Sequence, residues 1–439
     1  MDQENVTLLQ RLGNEYKRSE ESLNGLSGTK FHEIRRKAMD TFSQTGFPTT
    51  RHEEWKYTNI FPILHNGFKF SGISSISKET LQTLVIPNLD CTKLVLVNGV
   101  YSAALSDIFP DDVTVQSIRE MFRTKSDRVE NTYAELADSV KNPFVALNTA
   151  LAEDGLYIHL KKNCKVEKPI HIIAITDAQE DSVVSVPRLF IDVEKNAELT
   201  IVYTSHTIGN NSSWKNSVLE VIVQENASLT IINCQTDTSQ ASVIETIQST
   251  IAEDAHYSLT TVSLGCNFIR NDANVILNGK NSEAHLYGLI LGDGKRLIDN
   301  HTIVDHAKPH CESSEFYKYI LDDKSTGIFN GKVFVREDAQ KTNAYQSNKT
   351  ILLSDTATIN TKPQLEIFAD DVKCSHGATS GQLDEEQMFY LQARGIGKER
   401  ARALLLHAFA GDILKKIHIE PIVEWLDKDI AQRLRDEGN

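Results

Sequence analysis

Two short stretches of the chain concentrate side chains that could do chemistry. The first is Cys374-Ser375-His376-Gly377-Ala378-Thr379, where a thiol and an imidazole stand two residues apart. In a strand, alternation puts both on one face, and a soft metal or a sulfur species is the natural client of such a pair. The competing reading is a buried structural cysteine next to an unrelated histidine. The second stretch holds His301, Asp305, His306, His310, Cys311 and Glu312. It has the atoms of a metal site, but its spacings fit no standard mononuclear set, and in strands its side chains scatter over both faces. It is expected to be a turn-and-strand segment whose imidazoles hydrogen-bond between neighbouring strands.

Composition narrows the chemistry. The six cysteines, Cys91, Cys164, Cys234, Cys266, Cys311 and Cys374, include no C-x-x-C pair, which argues against a self-contained zinc site or four-thiolate cluster. A metal held near Cys374 and His376 therefore needs ligands from elsewhere, and that points to a partner. With 46 basic against 60 acidic residues the net charge is -14, the wrong sign for nucleic acid or an anionic membrane. The start, MDQENVTLLQ, lacks the basic and apolar regions of a signal peptide, and the apolar run 404–410 is too short to span a bilayer. The expected location is the cytoplasm. No G-x-x-x-x-G-K-[ST] loop and no dinucleotide fingerprint occur, so no bound nucleotide is expected.

The elements that must position these residues change along the chain. In 1–150 a helical domain with a small hairpin is expected. Phe31, Ile34, Ala38 and Phe42 fall at helical spacing until Gly46-Phe47-Pro48, and Asn98-Gly99 marks the hairpin. Residues 51–58 read as a packed turn, 113–123 as a short helix, and 124–141 as an exposed helix or linker. From 155 to 372 short runs of Val, Ile, Leu and Thr alternate with turns, without a helical pattern.

Within that region a phrase recurs: Val193-Glu-Lys-Asn196-Ala-Glu-Leu-Thr-Ile201, Val223-Gln-Glu-Asn226-Ala-Ser-Leu-Thr-Ile231 and Ile251-Ala-Glu-Asp254-Ala-His-Tyr-Ser-Leu259, with an echo at Val335-Arg-Glu-Asp338-Ala. Asn or Asp suits a left-handed turn and Ala a crowded corner, while Leu199, Ile201, Leu229 and Ile231 alternate inward. A fixed period of strands and turns predicts a right-handed parallel β-helix of about eight coils over 151–380. A β-sandwich is the alternative. End coils of a β-helix expose unpaired backbone groups, so a site at 374–376 shared with an added subunit is geometrically natural.

A helical domain over 381–439 follows. Asp384 and Gln387 cap a helix that stops at Arg394-Gly395. A second helix, 398–417, carries an expected stripe of Ala401, Leu404, Leu405, Ala408, Phe409 and Ile413, and a third starts at Pro421.

Two quoted segments carry a family resemblance. DNHTIVDHAKPHCESSEFYKYILDDKSTGIFNGKVFVREDAQKTNAYQSNKTILLS and PQLEIFADDVKCSHGATSGQLDEEQMFYLQARGI resemble the SufB/SufD family of iron-sulfur cluster assembly proteins. The CSHGAT form resembles the SufD branch, since the SufB branch typically carries C-E-H-E-A-T there. RHEEWKYTNI at 51–60 and NPFVALNTA at 142–150 resemble the same branch.

The resemblance implies a non-catalytic scaffold pairing with a SufB-like protein through β-helix cores. A SufC-like ATPase would sit on the C-terminal helices, and a transient Fe–S cluster would be built at the interface between the two β-helices. It implies that His376, with Cys374 beside it, belongs to the nascent-cluster site, and that Tyr390, Arg394 and Gly395 lie where the ATPase docks. Alone, such a chain is expected to form a homodimer. Two other classes compete. A β-helix enzyme acting on acidic polysaccharide needs converging carboxylates, whereas Asp322-Asp323 and Asp370-Asp371 are adjacent pairs suited to turns. A homo-oligomeric structural protein would use the same edge to pair with itself.

Overall fold

The recurring phrase is the corner of a coil. In the computed structural model, which describes residues 3–436 apart from 24–27, 65–66, 71–73, 75 and 125–131, Asn196, Asn226 and Asp254 all have φ between 55° and 58°. The same corner continues before and after them at Asn163, Asn281, His310 and Lys341, also left-handed. Each of these backbone N–H groups donates to a carbonyl of the next coil, as Asn196 does to Glu225 and Asn226 to Glu253. Side chains add a second ladder: Asn226 Nδ2 donates to Asn196 Oδ1 at 2.9 Å, and Asn196 Nδ2 to Asn163 Oδ1 at 2.7 Å. The echo expected at Asp338 is displaced to Lys341, because the chain makes an extra turn at Ala339 before the corner.

The residue after each corner must be small because the coils stack there. Ala197, Ala227, Ala255, Ser282, Cys311 and Thr342 fill this column, all buried. Cys311 thereby has a packing explanation: its Sγ lies 3.2 Å from Gly279 O and 3.3 Å from Ser282 Oγ.

The coils form a β-solenoid of about eight turns with helices at both ends. One sheet runs parallel from Thr92–Val97 to Lys373–Gly381, and the other from Leu156–Leu160 to Thr358–Ile367. Parallel pairing of this length excludes the sandwich, whose neighbouring strands run antiparallel. Inward residues of both sheets make one core that includes Leu199, Ile201, Leu229 and Ile231. Each such side chain contributes about 1.5–3 kcal/mol by leaving water.

The N-terminal part closes the first coil. Asn98 and Gly99, with φ of 52° and 85°, turn Thr92–Val97 back into the antiparallel Val100–Tyr101. The short helix expected over 113–123 is half strand: Val113–Ser117 pairs antiparallel with Leu156–Leu160, and only Ile118–Arg123 is helical. Val113 and Val115 prefer the sheet edge, and Ser117 accepts from Glu120 N to start the helix. Residues 125–131, from the expected helix or linker, lie outside the described residues.

The helix Pro143–Leu151 is buried at every position after Pro143. Asn142 caps it, and Asn148 Nδ2 donates to Pro187 O and Asn216 O of the solenoid. Nearby, buried Glu220 pairs with Arg188 and accepts the N–H groups of Ala134, Leu136 and Ala137. A buried carboxylate satisfied this fully pins the N-terminal segment to the coils.

Candidate functional site

Strand Lys373–Gly381 is the last of its sheet, paired on one side only, with Asn343–Leu352. Register places Cys374 beside Ala344 and His376 beside Gln346, both buried. The thiol and imidazole therefore share the inward face, as alternation requires, but no further coil of the described residues covers them. Cys374 is half-buried against the small cluster that includes Val333, Val335 and Ala344, and burial pushes its thiol above the ordinary range. His376 is exposed.

The column beneath His376 was not legible from local pattern. Ile201, Ile231, Leu259 and Leu286 occupy successive coils, and then Glu315, Gln346 and His376 follow. The interior thus turns from aliphatic to polar toward the open end. Thr302 donates to Glu315, and Gln346 Nε2 donates to Glu315 Oε1 at 3.0 Å. Burial raises the Glu315 carboxyl to about 7. Its polar members Glu315 and Gln346 follow the corners His310 and Lys341, whose residue types do not announce a left-handed turn, so the column emerges only from the strand register.

The second sequence cluster comes apart. His306 bonds Ser313 Oγ through Nε2 at 2.8 Å, His310 is a corner residue, and Cys311 fills the small-residue column. His301 instead meets the packed turn expected over 51–58. This turn is a 3-10 segment, Glu53–Trp55, and Glu54 Oε2 lies 3.2 Å from His301 Nδ1. His301 Nε2 lies 3.0 Å from Asp299 Oδ1, while Arg270 reaches Asp299 and Asp272, each at 2.7 Å, and stacks over Trp55 at 4.4 Å. Thr58 Oγ1 donates to Asp299 at 2.5 Å. Burial opposes the charge on His301, but Asp299 and Glu54 outweigh it and hold the imidazole above its usual range. This is a clamp between the N-terminal segment and the solenoid. Among the described residues no group of three or more His, Cys, Asp or Glu side chains is gathered to hold a metal ion, at Cys374 and His376 or elsewhere.

The tail presents a different surface. Asp384 accepts from Glu386 N and Gln387 N to start the helix Glu385–Ala393. Gly395, with φ of 86°, follows its end. None of that helix is buried: Phe389 is 71% and Tyr390 56% exposed, and Arg394 stacks over the Tyr390 ring at 4.8 Å.

The next helix, Lys398–Leu414, buries Ala401, Leu406, Ala410, Ile413 and Leu414. The expected stripe was rotated: Leu404 is 46% exposed and Ala408 is also exposed. Two polar ties to the sheet set the rotation. Lys318 Nζ donates to Phe409 O at 2.8 Å and to Asp412 at 2.6 Å, and Arg402 pairs with Asp322 at 2.7 Å. The helix Glu420–Asp436 covers the same face with Ile422, Leu426 and Ile430. No described helix is long and apolar enough to cross a membrane.

Comparison with known proteins agrees with this architecture. The family model for the SUF system FeS cluster assembly SufBD core domain matches residues 174–409, and that for the SufBD protein N-terminal region matches 7–172. An iron-sulfur cluster assembly SufBD family protein of Synechocystis is 32% identical, covering 91% of this chain and 90% of its own. The iron-sulfur cluster assembly protein SufD of Escherichia coli is 31% identical over 93% of this chain and 94% of its own. The protein of the same name from Bacillus subtilis is 26% identical over 88% and 89%. With matches reaching from the N-terminal helices to the helical tail, the chain belongs to the SufBD family of iron-sulfur cluster assembly proteins.

Proposed function

We propose that this chain is a SufD-like scaffold subunit whose open end receives a SufB-like partner, with a nascent Fe–S cluster built between them. In this reading a SufC-like ATPase docks on the helical tail around Tyr390, Arg394 and Gly395 and supplies the nucleotide chemistry. The chain itself catalyses no reaction. The observation that carries the reading is the last strand: an unpaired backbone edge that ends the core with an inward thiol and an exposed imidazole. An open parallel edge is a template for another strand. Imidazole and thiolate both suit iron, and two ligands leave room for a partner's.

The cluster is cargo, so a site completed only by association fits release better than a closed four-ligand site. The helix Glu385–Ala393 supports the second contact, because a helix with no buried residue and two exposed aromatic rings has a face available for a partner. The same open edge also favours self-pairing, so a homodimer in the absence of other subunits belongs to this reading.

The test is anaerobic purification of the tagged full chain from its own cells beside a His376→Ala version. Recovery of a SufB-like and a SufC-like protein, with cluster absorbance reduced in the variant and the complex intact, is expected. A chain recovered alone as a homodimer, indifferent to the substitution, would replace the assembly reading with a structural one.

A further inference from the structure

The column that ends in His376 contains an acceptor with nothing to accept. Gln346 is fully buried, and its Nε2 is committed to Glu315 in the coil below. The other oxygen of Glu315 is taken by Thr302. Gln346 Oε1, the remaining branch of the amide, has no donor among the described residues. The space for this amide is kept by Gly331 on the facing sheet. A Cβ there would come within 2.3 Å of Gln346 Nε2 and 2.8 Å of Phe329 Cζ. The next residue along the column is His376, one strand spacing away, on the same face.

A neutral imidazole donates from one ring nitrogen and accepts at the other. Only the nitrogen without hydrogen can bind a metal, and the hydrogen bond made by the other nitrogen decides which one that is. We propose that Gln346, held by Glu315 and Thr302, is a positioning residue that accepts an N–H from His376 and so leaves the other ring nitrogen's lone pair for the open end. This rests on the reading of His376 as part of the assembly site. The buried carboxylate has a defined task here: by holding Nε2 it orients the amide so that an oxygen, not an NH2 group, is offered to the imidazole. An NH2 group in that place would compete for the lone pair that a metal needs.

The test is made on the isolated full chain labelled with heavy nitrogen in its histidines, whose ring tautomers are read from nitrogen–proton couplings, with His376→Ala identifying the signal. The wild-type chain is expected to favour one His376 tautomer by roughly fivefold to tenfold, the worth of one hydrogen bond. Gln346→Met should return the ratio to that of a free imidazole. Glu315→Gln, which keeps an acceptor for Gln346 Nε2, should retain the preference. If Gln346→Met fails to fold, Glu315→Met, which releases the amide without removing it, should also lose the preference. A free-like ratio in the wild type, or one unchanged by Gln346→Met or Glu315→Met, overturns the assignment and leaves the assembly reading intact. A preference that Gln346 controls, together with cluster absorbance unaffected by His376→Ala in the partner complex, supports the positioning and overturns the assembly reading instead.

Discussion

At the scale of single residues, two of the histidines singled out by sequence have opposite surroundings. His376 lies at the open end, while His301 is locked between carboxylates. Burial alone would raise Asp299, but Arg270 and His301 outweigh it and hold the carboxyl at about 2. Its contribution to stability is present above the unfolded value of ~3.9 and is lost as pH falls toward the folded value. His301 works in the other direction. Its folded pKa is raised, so its contribution is full below ~6.5 and disappears as pH rises through the folded value. The melting-temperature difference between wild type and His301→Gln is therefore expected to be largest near pH 5 and to shrink toward pH 9; a difference that grows with pH would contradict the clamp. Cys374 offers a separate check. Burial raises its thiol, so alkylation of the isolated chain should keep accelerating beyond about pH 9.5, where an ordinary thiol of pKa ~8.5 is nearly all thiolate and levels off. A rate already flat below that pH would mean that the chain activates this thiolate unaided.

At the scale of elements, the coil corner is the repeating constraint. Gly279 stands at one such corner, where an added Cβ would lie 1.9 Å from Glu253 N, a backbone atom that cannot swing away. Gly279→Ala is expected to cost about 2 kcal/mol or more, measured by denaturant unfolding; a loss below ~0.5 kcal/mol, the range of ordinary surface substitutions, would show that the corner can open. The corners were also what made the fold readable. Asn196, Asn226 and Asp254 announced the period because only a few residue types tolerate left-handed backbone, and Ala after them marked the crowded position. The coils cornered by His310 and Lys341 carry the same backbone with residues that give no such signal, so the repeat faded there. The rotated stripe of Lys398–Leu414 was illegible for another reason. Lys318, Asp322, Arg402 and Asp412 set its facing through contacts distant in sequence. The pair Cys374 and His376 was visible as a motif, whereas Glu315 and Gln346 behind it became visible only once register was known.

At the scale of the whole molecule, the two ends of the solenoid differ. The last coil exposes Ile367 at 39% and Phe368 at 60% beside the unpaired strand. If this end receives a partner, Ile367→Lys with Phe368→Lys should reduce partner recovery about tenfold, as expected when desolvated anchors are lost, with little change in melting temperature. Undiminished recovery would move the contact elsewhere. The other end finishes in Val100–Tyr101 and Val113–Ser117, both antiparallel to their neighbours. An incoming parallel coil finds no matching register there. In the polymer chemist's sense such a solenoid has one propagating end: in the proposed reading, two chains joined at their open ends turn only these antiparallel strands outward, and the product stops at a pair where a uniformly open stack would propagate into a fibre.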